Sequence, residues 1–288
     1  MNDDLERLKK INREILSHRP FSLTKDWVFE DFKAFSDYCG KSYRDSIKDK
    51  ILNLHPINFI EDTHQYFVNG EEYTSVSKVL ETLTPKFDAK KMSKKCSENP
   101  NHEYFGKSPQ EILDIWEDKN KNACDLGTEF HNIVQLFLED KDISFSVFNQ
   151  DLFMQFREFH FEYFIKHKIE IIGLELKIAS PTFKICGTFD ALLIYKGELF
   201  IFDWKTNSKF DTDSEYKMNR PYSNYDKSKL TYYTFQLYIY RWILEVEYGI
   251  KISDCRIVWF SENEYKIHKP KFEYKENFIK KLLKNYRK

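Results

Sequence analysis

The stretch Gly187–Thr206 constrains this chain more than any other. It reads GTFDALLIYKGELFIFDWKT, two arms rich in aromatic, β-branched and other apolar residues around Lys196-Gly197. Such arms on a two-residue turn form a β-hairpin in which Tyr195 faces Glu198. Counting outward from that turn, Asp190 faces Asp203, with Cβ atoms roughly 4.5–5.5 Å apart. Lys205 lies two residues beyond Asp203 and points to the same face. Like charges directly opposite one another weaken a sheet. Phe189, Leu192, Ile201, Phe202 and Trp204 imply burial on both faces, and acids are rarely buried without a partner. A divalent cation between the carboxylates removes the conflict, and an oxygen donor set suits Mg²⁺ or Mn²⁺. A metal held by two Asp with a lysine nearby fits phosphodiester hydrolysis, with Lys205 orienting the water or offsetting charge on the phosphate. The competing reading is a pair of exposed acids on a solvated strand face, and the apolar neighbours argue against it.

Around this hairpin the periodicity predicts a mixed α/β (α+β) fold, a central mixed sheet flanked by helices with an N-terminal helical extension. Leu5, Leu8, Ile11 and Ile15, then Trp27, Phe32 and Phe35 beyond Pro20, have helical spacing. Ile57–Glu61, Gln65–Val68 and Glu72–Val76 read as strands, with Asn69-Gly70 as a turn. Ser75 or Ser77 caps a helix that Pro85 ends, and the polar stretch 96–109 reads as a loop. A helix is expected from Pro109 to about Cys124. A separate one then starts with Thr128 as its N-cap and buries Phe130, Ile133, Val134, Phe137 and Leu138. A helix at 146–167 precedes strands Ile169–Ala179, Phe183–Tyr195 and Glu198–Trp204. Beyond a polar loop come a helix at 231–247, strands at 254–260 and 264–267, and a helix from about 273. The chain thus divides into an extension (1–55), a hairpin and helical lid or arch region (56–126) and a core (127–288).

Asp190 followed by Asp203-Trp204-Lys205 resembles the D…(D/E)-x-K signature of the PD-(D/E)XK nuclease superfamily, with Phe189 where the pattern loosely carries Pro. Gly127-Thr-Glu-Phe-His131 resembles the G-x-x-x-H motif of the RecB-like branch. Glu175 matches the acid that this branch places before the first Asp, and Gln236-Leu-Tyr-Ile-Tyr240 resembles its Q-x-x-x-Y motif. The resemblance implies a restriction-endonuclease-like core and a Mg²⁺- or Mn²⁺-dependent DNA exonuclease of replication, recombination or repair, similar to phage-type and mitochondrial genome maintenance exonucleases. It implies metal ligation by Asp190, Asp203, His131, Glu175 and the Trp204 carbonyl, catalytic roles for these side chains with Lys205, Gln236 and Tyr240, and a phosphate contact for Thr206. Residue chemistry admits these roles. Gln236 and Tyr240 share a helix face at i, i+4 and can hold a phosphate or base, although an ordinary amphipathic face has the same spacing. An isolated histidine near a helix start is more often satisfied locally than a ligand, and Glu175 alone could be a surface acid. Tyr73–Asp88, with Trp116, also resembles those exonucleases, in which helices before the core arch over DNA.

The 45 Lys and Arg nearly balance 46 Asp and Glu, for a net charge of −1, yet they are unevenly placed. Lys86, Lys90, Lys91, Lys94 and Lys95 stand against Asp88 alone, and the segment Lys266–Lys288 is also strongly basic. Solvated helix faces look the same; beside a hydrolytic site, the first cluster is expected to line a path for DNA. Linear DNA, single-stranded ends included, is the expected partner, with a replication or recombination protein as a further candidate. No apolar run is long enough for a spanning helix, and Met1-Asn2-Asp3-Asp4 lacks a signal core. Five scattered cysteines argue against a disulfide framework, so a cytoplasmic protein is expected. Cas4-like and AddB-like relatives in the branch this chain resembles hold an iron–sulfur cluster on one Cys before the core and three after Q-x-x-x-Y; only Cys255 follows Tyr240 here, so no such cluster is expected, and without a Gly-rich phosphate loop neither is an ATP site. Two other functions stay open: an endonuclease of resolvase or restriction type, and a catalytically dead nucleic-acid-binding or virion protein.

Overall fold

The structure, a computed structural model, describes residues 29–61, 63–143 and 150–286. The stripe from Leu5 to Ile15 and Trp27 lie outside them. Helix α1 (Phe29–Leu54) leads into strands β1 (Ile57–Ile60), β2 (Gln65–Val68) and β3 (Glu71–Ser75). Helices α2 (Val76–Glu81), α3 (Ala89–Glu98), α4 (Pro109–Leu138) and α5 (Gln150–Phe159) follow. Strands β4 (Glu170–Ser180), β5 (Ile185–Tyr195) and β6 (Glu198–Lys205) precede α6 (Lys229–Trp242), β7 (Asp254–Phe260), β8 (Tyr265–His268) and α7 (Glu276–Tyr286). Both α5 and α6 end in a wider π-helical turn. The strands form one mixed sheet of eight, so the fold class is the mixed α/β one expected.

Turn chemistry sets the register of the hairpin. Lys196 and Gly197 both have positive φ, 51° and 79°, the geometry of a two-residue turn that matches strand twist. Tyr195 faces Glu198, and the pairing continues to Ala191 opposite Phe202. The arms are buried on both sides, because helices cover both faces of the sheet. Leu192, Leu199 and Ile201 pack with α2, α6 and α7, together with Ile47 and Ile51 of α1. Ala191, Leu193, Phe202 and Trp204 pack with Phe130 and Ile133 of α4 and Phe156 and Phe159 of α5.

Strand β5 organises the sheet. β4 pairs with it from Ile185 to Ile194, so its other neighbours must share the opposite edge. β3 takes the start of that edge, parallel, with Thr74 beside Ile185 and Ser75 beside Cys186. β6 takes the far end, antiparallel, as far as Ala191. Between them, residues 187–190 have no strand partner on that edge, and the sheet is split there.

Two local expectations change. The separate helices before and after residue 125 are one continuous helix, α4, so Thr128 is not a cap and His131 does not sit in a first turn. Ser108 caps α4 in a reciprocal box with Glu111. The first half is held by Ile112, Ile115 and Trp116 against Cys96 and Tyr104, the second by Phe130, Ile133 and Val134 against the sheet. Packing at both ends outweighs the roughly 1 kcal/mol that a mid-helix glycine costs. Part of the stretch 96–109 is also helical, because α3 runs to Glu98 with Asp88 as its cap.

Candidate active site

Asp190 is the last residue of the unpaired edge of β5, just before β6 joins it. It is 6 % exposed, and its Oδ2 accepts the Trp204 N–H at 2.5 Å, so the carboxylate takes over where the ladder stops. In an extended strand the N–H and C=O of one residue share a side. The Trp204 carbonyl therefore also faces the split, while its indole is anchored beside Phe156, Phe159 and Phe260.

Across β4, Glu175 stands opposite Asp190, between the pairs Leu174–Ala191 and Leu176–Phe189. Its φ is +47°, a left-handed conformation that costs a non-glycine residue about 1–3 kcal/mol and gathers at functional sites. His131, on α4, completes the group. Its Nδ1 lies 3.3 Å from Glu175 Oε1 and 3.4 Å from Asp190 Oδ1. Ligand atoms of the three residues lie within 4.8 Å of one another, and the group could hold a metal ion.

The two acids expected to share a cation have different partners. Asp190 joins His131 and Glu175, whereas Asp203, 1 % exposed, has its Oδ2 2.5 Å from Lys205 Nζ. The latter contact is an ion pair rather than a well-angled hydrogen bond. Burial opposes the charge on His131, but Asp190 and Glu175 raise its pKa to about 10. Asp190 is desolvated too, and His131, Lys205 and the Trp204 N–H hold it below the usual carboxylate range. Burial raises Glu175 and pushes Asp203 up to about 6 against the pull of Lys205. Lys205 is raised despite burial by Asp203 and Asp190, so it stays an ammonium ion.

Gln236 and Tyr240 reach the site from α6. Gln236 Nε2 donates to the Tyr240 hydroxyl at 3.1 Å, which leaves the phenolic hydrogen free to be donated. Gln236 Oε1 is buried without a partner among the described residues. Gly187 makes room for this helix, since a Cβ there would lie 2.5 Å from Tyr240 Cε1. His131, Glu175, Asp190, Gln236 and Tyr240 line one cavity of about 650 Å³. Phe59, His64, Tyr66, Ser75, Ser77, Lys177 and Thr188 line it as well. Phe59, His64, Tyr66, Ser75 and Ser77 escaped sequence reading because the parallel pairing of β3 with β5, which carries β1, β2 and the start of α2 alongside, leaves no local pattern.

None of the expected DNA-contacting residues lines this cavity, although Thr206 touches its wall. Thr206 sits against Gly127, 3.6 Å from where a Cβ would stand. Lys86 and the α3 lysines 90, 91, 94 and 95 are exposed, none lines the cavity, and Lys94 lies 3.9 Å from Glu98. No helix among the described residues is long and apolar enough to cross a membrane.

No protein-family model matches the sequence, and the comparison with curated proteins found no match. Among solved structures the chain is similar to SSO0001, at 13 % identity and a TM-score of 0.34 over 86 % of this chain and 84 % of that one. It is also similar to a "putative exonuclease" from Eubacterium rectale, at 13 % identity and a TM-score of 0.33 over 75 % of this chain and 77 % of that one. Superpositions this loose carry no argument about function, which rests on the site itself.

Proposed function

We propose that the protein is a metal-dependent nuclease that hydrolyses phosphodiester bonds of DNA, acting as an exonuclease. One observation carries this reading. Two carboxylates and an imidazole gather at a split sheet edge, beside a buried lysine ammonium and above a Gln–Tyr pair that lines the same cavity. The donor set fits a divalent cation. Two carboxylates hold a positive charge between them, whether an imidazolium proton or a metal ion, and the strained Glu175 backbone turns a second acid towards Asp190. A nitrogen among the donors moves the preference from Mg²⁺ towards Mn²⁺. A bound cation would supply neutralisation of phosphate charge and easier deprotonation of water.

The chain's own residues do the rest. Lys205, held by Asp203, keeps its proton and therefore donates to a phosphate oxygen or the attacking water; it does not serve as the base. Tyr240 donates its free hydrogen to a second phosphate oxygen, and Gln236 fixes the ring oxygen. The order of the matching motifs, from His131 to Tyr240, supports the exonuclease form of the reading.

The test is cleavage of labelled linear and covalently closed DNA in Mn²⁺, Mg²⁺ or EDTA. Metal-dependent loss of linear DNA alone is expected, with Asp190→Asn and Lys205→Met each slowing it by about 100-fold or more. Nicking of closed circles would instead indicate an endonuclease. Binding without cleavage in any metal would overturn the enzymatic reading.

A further inference from the structure

The sheet face that carries the acid cluster continues beyond it. Two residues on from Glu175 and two before Asp190, Lys177 faces Thr188 in the β4–β5 ladder. One residue pair along each strand separates these two rungs by about 6.6 Å, close to the repeat of an extended nucleic-acid backbone. Both residues of the second rung line the cavity. The Thr188 Oγ1 lies 3.2 Å from the Tyr66 hydroxyl. Lys177 Nζ sits 5.5 Å from the centre of the Phe59 ring. It is the one lysine or arginine lining the cavity, and no carboxylate among the described residues forms an ion pair with it.

We propose that Lys177, with the Thr188 and Tyr66 hydroxyls, forms a second phosphate subsite that holds the phosphate next to the one being cleaved. The inference rests on the nuclease reading and adds its substrate class: a polynucleotide carrying a charged phosphate on each side of the reacting nucleotide. The chemistry suits the ligand. The ammonium and whichever of the two hydroxyls is not donating to the other can each donate to a phosphate oxygen, and the carboxylates one rung away would repel an anion unless a lysine offset them. Phe59, beneath the lysine, fixes the ammonium by cation–π attraction without neutralising it.

The test is a set of single-stranded oligonucleotides in which one phosphate at a time is replaced by a neutral methylphosphonate, cleaved in Mn²⁺ by the wild type, Lys177→Met and Lys177→Arg. In the wild type, neutralising the linkage next to the scissile one should lower kcat/KM about tenfold, the factor one charge-assisted hydrogen bond supplies. Lys177→Met should be about tenfold slower on the all-phosphate strand yet insensitive to that replacement, and Lys177→Arg should keep the wild-type sensitivity. If Lys177→Met matches the wild type, or is slower but loses a further tenfold on neutralisation, the subsite is wrong although the nuclease reading stands. The same series is annealed to its complement where only the duplex is cleaved; if the wild type cleaves neither form in Mn²⁺ or Mg²⁺, the nuclease reading itself fails and the subsite fails with it.

Discussion

At the scale of single residues, the site is made by side chains that break ordinary strand rules. Asp190 takes the place of a missing ladder partner, Glu175 occupies a left-handed backbone conformation, and Gly187 gives up a side chain so that Tyr240 can lie on the strand. The last of these yields a sharp expectation. Gly187→Ala would place a methyl 2.5 Å from Tyr240 Cε1 and 3.2 Å from Val76 Cγ2. Overpacking of that kind costs about 1–3 kcal/mol, so thermal unfolding should shift down by several degrees, and an unchanged Tm would mean that α6 yields freely. Hairpin arithmetic brings Asp190 and Asp203 opposite one another, because register follows from a local turn, but the β5–β6 ladder ends at Ala191 and Phe202, and Asp190 turns to His131 and Glu175 while Asp203 takes Lys205. Pairing Glu175 and His131 with Asp190 needed motif resemblance, because contacts between distant segments leave no periodic trace. Lys177 escaped both routes, as a lone lysine in a strand looks like a solvated side chain.

Secondary elements show where local signals mislead. Gly127-Thr128 resembles a helix boundary, yet α4 runs through it because both halves pack independently. A Cβ at Gly127 would meet only Thr206 Oγ1, at the ordinary contact distance of 3.6 Å. Gly127→Ala should therefore stabilise the protein by about 0.5–1 kcal/mol, measurable by urea denaturation; a loss of stability would place a true helix break there. The start of α6 depends on Asp226, which accepts from the Ser228 N–H and the Thr231 hydroxyl and pairs with Lys271 at 2.6 Å. Against a burial cost, Lys271, Ser228 and Thr231 hold the Asp226 carboxyl well below the usual carboxylate range. A carboxyl depressed in the folded state stabilises it above the unfolded pKa of about 3.9 and loses that contribution as pH falls through the folded value. Asp226→Asn should cost about 1–2 kcal/mol at neutral pH, with the gap to wild type closing in acid. A gap that persists there would assign the effect to geometry rather than charge.

Across the whole molecule, one topological fact positions everything else: β3 and β6 share one edge of β5 and leave residues 187–190 unpaired between them. The α6 pair reaches that opening from one face and His131 of α4 from the other, so residues spread over more than a hundred positions line a single cavity. Strand order is a non-local property: the sequence shows strands β1 to β3 as local antiparallel neighbours, and not that β3 joins β5 in parallel. The near-zero net charge is equally uninformative at this scale. The five lysines at 86–95 stand outside the cavity, and Lys271 of the C-terminal basic segment is held by Asp213 and Asp226, so the lysine charge at the site comes from Lys205 and Lys177. In the proposed nuclease, His131, Glu175 and Asp190 together hold the divalent cation that cleavage requires. The rate of linear DNA cleavage as a function of Mn²⁺ concentration tests it most directly, for wild type and Glu175→Gln. The rate should saturate with Mn²⁺, vanish in EDTA and need about 10–100-fold more Mn²⁺ in the variant; cleavage in EDTA, or an identical Mn²⁺ dependence in both proteins, would rule out a cation held by this group.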